Sequence, residues 1–150
     1  MSVIDQLFMR EADLDDVELL CDLNEKLRRD EQAQMQLTRQ DLVARLRGWM
    51  TEEGYRGVLF EIDGRAIAYA LFRTEPDPCM KDGQIVYLRQ LYVEHAYRRL
   101  GVGSEAMRRW REVFVPAGMP VELDVLERNE SGRAFWKAIG MMPRMTRMRR

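Results

Sequence analysis

The chain has few of the residues that metal sites and disulfide frameworks need. Its 150 residues include only two cysteines and one histidine, and Cys21 and Cys79 lack the spacing of metal ligands. No apolar run reaches membrane-spanning length, and no secretory leader is recognisable. We therefore expect no metal ion, no membrane partner and a cytoplasmic location in which the cysteines stay reduced.

The chain also has almost no net charge, because 24 basic and 25 acidic residues leave a formal charge of −1. This balance argues against the strongly basic surface of a nucleic-acid-binding protein, so we expect a small-molecule or peptide partner. A hydrophobic fraction of 46% in a chain of this length can form a substantial core. We expect residues 1–150 to form one domain.

A change of pattern within residues 84–112 is the most informative feature. Apolar residues from Ile85 to Val93 predict a strand, and the polar, arginine-rich loop 94–103 that follows contains two glycines at its end. From Ser104 the apolar residues recur at helical spacing, at Ala106, Met107, Trp110, Val113 and Phe114. A glycine turn at a helix N-terminus offers unpaired backbone N–H groups and the positive end of the helix dipole. This pattern predicts a site for a pyrophosphate-bearing cofactor.

The rest of the chain contains further strand and helix patterns. We predict helices capped by Asp13 and Thr38, and a hairpin with its tight turn at Asp63 and Gly64. The predicted strands are residues 7–10, 57–62, 66–73, 84–93, 121–125 and a final strand in the C-terminal tail. The predicted helices are residues 13–29, 38–54, one from 104, and one within 129–141. This order predicts an α/β (α+β) fold with a mixed sheet and helices on both faces.

Two groups of charged residues are interpreted as solvated surface. Four arginines cluster in the tail, at Arg144, Arg147, Arg149 and Arg150. We interpret them as part of an edge strand whose charges discourage edge pairing, with phosphate or acidic-acceptor binding as the alternative. Glu122 and Asp124 alternate with apolar residues, and we interpret them as the solvated face of their strand.

Three residues of the glycine turn, Arg98, Gly101 and Gly103, spell Arg-x-x-Gly-x-Gly, which resembles the acetyl-CoA signature of the GNAT N-acetyltransferase superfamily. The segment 129–141, NESGRAFWKAIGM, is similar to the second motif of that family. Residues 7–23 are similar to its opening strand and helix, so the resemblance covers essentially the whole chain. It implies a GNAT fold, with a mixed, mostly antiparallel central sheet whose central strands splay apart.

The resemblance also implies acetyl-CoA as co-substrate, with cofactor-binding residues in three segments. Backbone contacts to the pantetheine arm are expected at Leu91, Tyr92 and Val93. Contacts to the pyrophosphate are expected at Arg98, Arg99, Leu100, Gly101, Val102, Gly103 and Ser104. The second motif contributes Asn129, Phe135 and Trp136.

Two other phosphate-binding motifs can be compared with this turn. A Walker loop is excluded, because Ser104 stands where a lysine would follow the second glycine. Gly101, Gly103 and Ala106 do satisfy the dinucleotide pattern Gly-x-Gly-x-x-Ala, and Asp124 lies near the place of a ribose-binding acid. A dinucleotide-binding protein is a minor alternative, because a polar stretch separates the strand from the glycines and only the last third of the chain follows.

Acetyl transfer to an amine needs a base for the ammonium group and an acid for the departing thiolate. Several family branches carry an acidic residue on the motif strand, where this chain has Tyr87 and Arg89, neither an obvious base. Trp136 replaces the tyrosine that many members place near the cofactor sulfur, and an indole N–H delivers no proton at neutral pH. The candidates for proton transfer are therefore Tyr87, Tyr92, Tyr97 and His95.

The acceptor is expected to bind beside the helices that follow the first strand, at about residues 24–37. This segment mixes acidic and basic residues, so it predicts no charge preference. The predicted substrate-binding residues are Arg73 and Arg89, which lie on adjacent predicted strands. We expect them to bind a carboxylate or phosphate of the acceptor, which would disfavour polyamines.

The leading interpretation is an acetyl-CoA-dependent N-acetyltransferase that acts on a primary amine of a small molecule or peptide by direct attack in a ternary complex. No covalent enzyme intermediate is expected, since neither cysteine lies in the motif region. The alternative is a catalytically weak acyl-CoA-binding module, which the missing tyrosine and base favour. The resemblance also implies a homodimer, for which the exposed C-terminal strand offers a physical route.

Overall fold

The structure is a computed structural model that describes all of residues 1–150. The strands are β1 (Phe8–Glu11), β2 (Arg56–Ile62), β3 (Arg65–Pro76), β4 (Gln84–Val93) and β5 (Val121–Glu122). The α-helices are α1 (Val17–Asp30), α2 (Arg39–Thr51), α3 (Val102–Phe114) and α4 (Glu130–Ala138). Short 3-10 turns lie at Ile4–Gln6, Leu14–Asp16 and His95–Tyr97. No helix has the length and hydrophobicity needed to span a lipid bilayer.

The five strands form one sheet in the order β1-β2-β3-β4-β5. The first three pairs are antiparallel and only β4 with β5 is parallel, so the predicted mixed, mostly antiparallel sheet is confirmed. The turn between β2 and β3 has φ angles of 52° at Asp63 and 75° at Gly64. Two successive positive φ angles are what a tight hairpin turn of this kind requires, as predicted.

Helices cover both faces of the sheet, as the sequence predicts. On one face α1 and α2 pack against the sheet, and Leu20, Leu46 and Tyr69 are fully buried there. On the other face α3 supplies Val102 and Trp110 to a second core, against which the apolar side of α4 also packs. The sheet is therefore a shared wall between two hydrophobic layers.

The helix starts follow the predicted capping chemistry. Thr38 accepts a hydrogen bond from the Asp41 N–H at 3.1 Å, and the Asp41 carboxylate accepts from the Thr38 N–H at 3.0 Å. Asp13 forms an equivalent capping box with Asp16, but it caps the 3-10 turn that leads into α1. Reciprocal bonds of this type satisfy the donors that a helix start leaves free.

Two predictions about the surface are wrong. Residues 141–150 form no strand, because β5 contributes only two residues and offers no further ladder for pairing. The four tail arginines are exposed without strand structure, and the physical route to a dimer through a C-terminal edge strand is lost. Val113 was expected on the apolar face of α3, but it is 64% exposed because Met107 and Trp110 define a narrower buried stripe.

Candidate active site

The parallel strands β4 and β5 separate almost as soon as they meet. Only Val86 with Val121 and Tyr87 with Glu122 pair across them. Beyond Tyr87, β4 continues as far as Val93 with its other edge bonded to β3. Residues 88–93 therefore present one edge that has no strand partner, and the predicted splay of the central strands is confirmed.

A β-bulge interrupts β4 at the point where the strands separate. Leu88 pairs with Phe72 and Gln90 with Leu71, so Arg89 is an extra residue in the ladder. Its effect is that Arg89 and Gln90 both project toward the face covered by α1 and α2. A bulge leaves backbone groups outside the ladder and re-aims side chains, which is why bulges often lie beside active sites.

The glycine turn opens α3, as the sequence predicts, although the helix begins at Val102 and not at Ser104. Gly101 is the N-cap and has a φ of 79°, a left-handed conformation that glycine adopts without strain. Glu105 makes the first backbone bond of the helix, donating to the Gly101 carbonyl at 3.0 Å. The N–H groups of Val102, Gly103 and Ser104 have no partner within the protein, so they can bind an anion.

Arg98 is fixed beside this turn by several contacts. Its guanidinium donates to the Val93 carbonyl at 2.8 Å and to the Asp30 carboxylate at 2.6 Å, and it lies 5.3 Å from the centre of the Tyr92 ring. Arg99 and Leu100 are exposed, and the side chain of Arg99 forms no hydrogen bond or ion pair. The charge of Arg98 is therefore shared with Asp30, whereas that of Arg99 is available to a ligand.

His95 belongs to the same cluster. Its Nε2 lies 3.0 Å from Asp30 Oδ1, and its Nδ1 lies 3.4 Å from an Arg98 nitrogen. Partial burial raises the pKa of Asp30, whereas hydrogen bonds from Arg98 and His95 lower it by more, so the pKa is below its usual value. His95 is thus paired with a carboxylate on α1 and is 69% exposed.

Of the three tyrosine candidates, Tyr97 lies in the 3-10 turn after β4, and Tyr87 and Tyr92 lie in different surroundings on β4. Tyr87 donates from its hydroxyl at 2.7 Å to the carboxylate of Asp124, which lies two residues beyond the end of β5. Burial raises the pKa of Tyr87, and its bond to Asp124 raises it further. Tyr92 is only 2% exposed and packs against Tyr69 in the core beneath α1. Asp124, which the sequence places on a solvated face, is therefore a hydrogen-bond partner of the candidate site.

The second motif forms α4 and supports the glycine turn. Asn129 caps α4 by accepting from the Gly132 N–H at 2.9 Å. Phe135 and Trp136 pack edge to face with ring centres 4.8 Å apart, on the sheet face that α3 covers. A Cβ atom added to Gly103 would lie 2.9 Å from the Phe135 ring. Glycine at this position is therefore required for α4 to approach the turn.

The predicted substrate-binding arginines both reach Tyr55, which lies between α2 and β2. The guanidinium of Arg73 lies 4.4 Å from the Tyr55 ring and that of Arg89 lies 5.5 Å from it. Arg73 also forms an ion pair with Glu75 at 2.7 Å and donates to the Glu53 carbonyl. Arg89 has no carboxylate partner, so the two arginines share a surface but differ in the charge available to a ligand.

Sequence reasoning missed a polar network beneath this surface. Asn24 of α1 donates to the Tyr69 hydroxyl at 3.0 Å and to the Gln90 amide oxygen at 3.1 Å, and the Tyr69 hydroxyl donates to the same oxygen at 2.8 Å. Asn24 and Tyr69 are buried. The bulge brings Gln90 into this network, and no signal in the sequence marks the bulge.

Two surface cavities lie outside the glycine turn. One of about 390 Å³ separates the end of α1 from the start of α2 and is lined by residues that include Arg28, Met35, Leu37 and Leu42. It coincides with the segment 24–37 in which the sequence predicts the acceptor. The other, of about 420 Å³, lies near Lys26 and Glu94. Neither contacts the free amides of α3.

Comparison with known proteins identifies the family. The model of the acetyltransferase (GNAT) family matches residues 20–141, most of the chain, so this protein belongs to that family. The prediction made from the glycine turn and the second motif is confirmed, and the fold and family define an acyltransferase. No curated protein matches the chain in sequence.

Solved structures share the fold at low sequence identity. A possible acetyltransferase from Clostridium difficile 630 superposes with a TM-score of 0.80 at 17% identity, covering 97% of this chain and 96% of that one. A predicted acetyltransferase from Clostridium acetobutylicum, solved with acetyl-CoA, gives 0.77 at 18%, with 95% and 94% covered. The aminoglycoside N-acetyltransferase AAC(6')-Iy, in complex with CoA, gives 0.72 at 17%, with 96% and 94% covered. The predicted co-substrate, acetyl-CoA, is thereby confirmed at the level of the family.

Proposed function

We propose that the protein transfers the acetyl group of acetyl-CoA to a primary amine of a small molecule or peptide, by direct attack in a ternary complex. One observation carries this proposal: the unpaired edge of β4 leads from the β-bulge at Arg89 to the free amides at the start of α3. We call this edge, together with the free amides, the cofactor track. A long cofactor that carries a pyrophosphate and ends in a reactive thioester matches it. The family assignment supplies the reaction class.

The proposed cofactor contacts use the backbone groups that line this track, at the start of α3 and along the unpaired edge of β4. The amides of Val102, Gly103 and Ser104 would bind the pyrophosphate, helped by the α3 dipole and by Arg99. Backbone groups of residues 91–93 would pair with the amides of the pantetheine arm, as an added strand does. This arrangement directs the thioester toward the bulge, where a backbone N–H outside the ladder can polarise its carbonyl.

The proposed proton path uses Tyr87 and Asp124, which are hydrogen-bonded to each other where β4 and β5 begin to separate. The amine must reach the site uncharged, since only its free lone pair can attack the carbonyl carbon. As the C–N bond forms and the C–S bond breaks, Asp124 takes the proton that the nitrogen loses. Tyr87 keeps its proton at neutral pH and can pass a proton to the departing thiolate while it receives one from Asp124. The net products are the N-acetylated amine and CoA.

Direct attack is supported by the surroundings of the two cysteines. Cys21 is fully buried in α1, and burial raises the pKa of its thiol to about 11. Cys79 is exposed in the connection between β3 and β4, where it contacts Arg144. A cysteine nucleophile needs a lowered pKa and a position beside the reacting carbonyl. Cys21 meets neither requirement, and Cys79 lies outside the proposed cofactor track.

Amine-dependent release of CoA tests this function. Purified protein with acetyl-CoA and a broad panel of primary amines should release free CoA only when an acceptor is present, with the N-acetyl product seen by mass spectrometry. The alternative function, a catalytically weak acyl-CoA-binding module, is favoured by Trp136 at the position of the family's tyrosine. Acetyl-CoA binding without product from any amine would support that alternative and contradict ours.

A further inference from the structure

Two arginines from different elements lie against the same aromatic ring. The guanidinium carbon of Arg45, on α2, lies 4.5 Å from the ring centre of Trp49, and that of Arg89, at the bulge of β4, lies 4.3 Å from it. Arg89 also donates to the Tyr55 hydroxyl at 3.2 Å. Trp49 and Tyr55 are themselves buried. Trp49 therefore has two guanidinium charges within 4.5 Å of its ring centre, and one of them, Arg89, lies at the bulge beside the proposed reacting centre.

These two arginines lack the partners that similar arginines have. The other half-buried arginines bond to a carboxylate or a backbone carbonyl, namely Arg10, Arg28, Arg39, Arg73 and Arg109. Arg45 forms no hydrogen bond or ion pair, and Arg89 bonds only to a neutral phenol. Glu31 is an acidic neighbour of Arg45, but it forms no ion pair with either arginine.

This arrangement costs free energy in the absence of a ligand. Burial lowers the pKa of Arg45 below its usual value, and the charges of Arg89 and Arg28 lower it further. Cation–π contact with Trp49 offsets part of the cost but supplies no hydrogen-bond acceptor. An anion bound by both guanidinium groups would accept several charge-assisted hydrogen bonds and relieve the repulsion.

We propose that the acceptor is a small primary amine that also carries an anionic group, carboxylate or phosphate, and that Arg45 and Arg89 bind this group against Trp49. The proposal rests on the acetyltransferase function above. Because Arg89 lies at the bulge, the anion would sit close to the thioester, and a short linker would connect it to the amine. Arg45 replaces Arg73 in the predicted acceptor site, since Glu75 already neutralises Arg73.

The same charges predict which amines are rejected. A polyamine such as spermidine places positive charge against two uncompensated guanidinium groups, so repulsion should weaken its binding. A neutral alkylamine meets no such repulsion but leaves both arginines unpaired. The value of kcat/KM should therefore depend on the charge of the substituent that the amine carries. It should be highest for an anionic substituent, lower for a neutral one and lowest for a cationic one.

Matched pairs of amines test this ranking. Values of kcat/KM would be measured for glycine, β-alanine and 4-aminobutyrate against methylamine, ethylamine and propylamine, for phosphoethanolamine against ethanolamine, and for spermidine. We expect at least one anionic amine to exceed its neutral partner by about tenfold or more. The carboxylate and phosphate series together show which anion the site takes. Preference for spermidine or for the neutral amines would overturn the proposal.

Variants assign the preference to the two arginines. Arg45→Gln and Arg89→Gln should each reduce the ratio of kcat/KM between the anionic and neutral amine by about tenfold, mainly through KM. The matched control is Arg47→Gln, which removes an exposed arginine of the same helix and should leave the ratio unchanged. An unchanged ratio in both test variants would overturn the assignment.

Calorimetry separates failure of this inference from failure of the proposed function. If no amine is acetylated, the CoA-loaded protein would be titrated with the same anionic amines. Binding of one of them by the wild type and by Arg47→Gln, with loss in Arg45→Gln, would support the anion site even though the transfer function had failed. Absence of binding by every anionic amine would reject the anion site itself.

Discussion

Gly103 and Phe135 are in such close contact that no side chain fits between them: a Cβ on Gly103 would lie 2.9 Å from Cε1 of the phenylalanine ring. The contact joins the first turn of α3 to α4, so the two sequence motifs of the family meet at this point. Gly101, by contrast, is needed for its backbone, since its φ of 79° is strained for any residue with a Cβ. Gly103 is therefore needed for the close contact with α4, and Gly101 is needed for its left-handed backbone conformation.

This difference predicts distinct effects of substitution at the two glycines. Gly103→Ala should destabilise the protein by about 1–3 kcal/mol, because the added methyl overpacks the Phe135 ring. Urea unfolding would measure this cost. In the double variant Gly103→Ala/Phe135→Leu the cost should be partly relieved, since the ring edge is gone. Additive losses in the double variant would contradict the clash as the cause.

Binding of acetyl-CoA should be lost in both Gly101→Val and Gly103→Val. Valine at either position shields the free amides of α3 and, at Gly101, also opposes the left-handed backbone. Calorimetric titration with acetyl-CoA measures the loss, and circular dichroism establishes that the variants are folded. Gly118→Val is the matched control, because Gly118 also has a positive φ, with open space around it, after the end of α3. Unchanged affinity in the two turn variants would remove the basis for the phosphate site.

Removal of either partner of the Tyr87–Asp124 pair should slow acetyl transfer. Tyr87→Phe keeps the ring but loses the hydroxyl, and Asp124→Asn keeps the shape but cannot accept the proton. We expect kcat to fall by about 10²-fold or more in each, with little change in acetyl-CoA affinity. The double variant should be about as slow as the slower single variant, since the two groups act as a unit. Wild-type kcat in both single variants would show that the pair takes no part in transfer.

The sequence predicted the motif strand and helix because their signals are local. The apolar run in β4, the helical spacing of apolar residues in α3 and the glycines between them can all be recognised within one short segment. The bulge in β4 depends on the register with β3, so the sequence of β4 alone could not show that Arg89 and Gln90 share a face. For the same reason the Asn24–Tyr69–Gln90 network, which joins three elements, was not predicted.

Glu105 should make the stability of α3 depend on acid pH. Hydrogen bonds from Arg108 and Arg109 lower the pKa of Glu105 to about 2 from a reference of 4.5. Because the folded-state pKa is the lower one, the stabilisation is present above about pH 4.5 and is lost as the pH falls toward 2. Glu105→Gln should therefore cost about 1–3 kcal/mol at neutral pH and much less near pH 2.

Urea unfolding of the wild type and of Glu105→Gln across this pH range measures the difference in unfolding free energy between them. Glu112→Gln is the control, since Glu112 also pairs with Arg108 but is 70% exposed, and surface pairs contribute about 1 kcal/mol at most. If this difference in unfolding free energy stays constant with pH, the ion pairs of Glu105 do not stabilise the fold.

Asn129 allows a helix cap to be separated from a cofactor contact. Asn129→Ala should cost about 1 kcal/mol of stability, because the Gly132 N–H loses its acceptor. Asn129→Asp should keep the cap and the stability. If acetyl-CoA needs the side-chain N–H of Asn129, affinity should fall in Asn129→Asp while the melting temperature is unchanged. Equal affinity in wild type and Asn129→Asp would limit Asn129 to capping.

The acceptor side of the site shows the limit of sequence reasoning most clearly. Arg73 and Arg89 were predicted from their positions on neighbouring strands, and both do reach Tyr55. The structure adds two facts that depend on how side chains pack. Glu75 neutralises Arg73, and Arg45 of α2 stacks on the same tryptophan as Arg89. The wrong prediction of a C-terminal strand has the same origin, since a strand needs a partner that the local pattern does not reveal.

Calorimetric titration of the wild-type protein with acetyl-CoA, with NAD in a parallel titration, is the measurement to make first. The free amides of α3, the unpaired edge of β4 and the family assignment together predict micromolar binding of acetyl-CoA and none of NAD. Binding of NAD without binding of acetyl-CoA would contradict the proposed role of the glycine turn and, with it, the acetyl-transfer function.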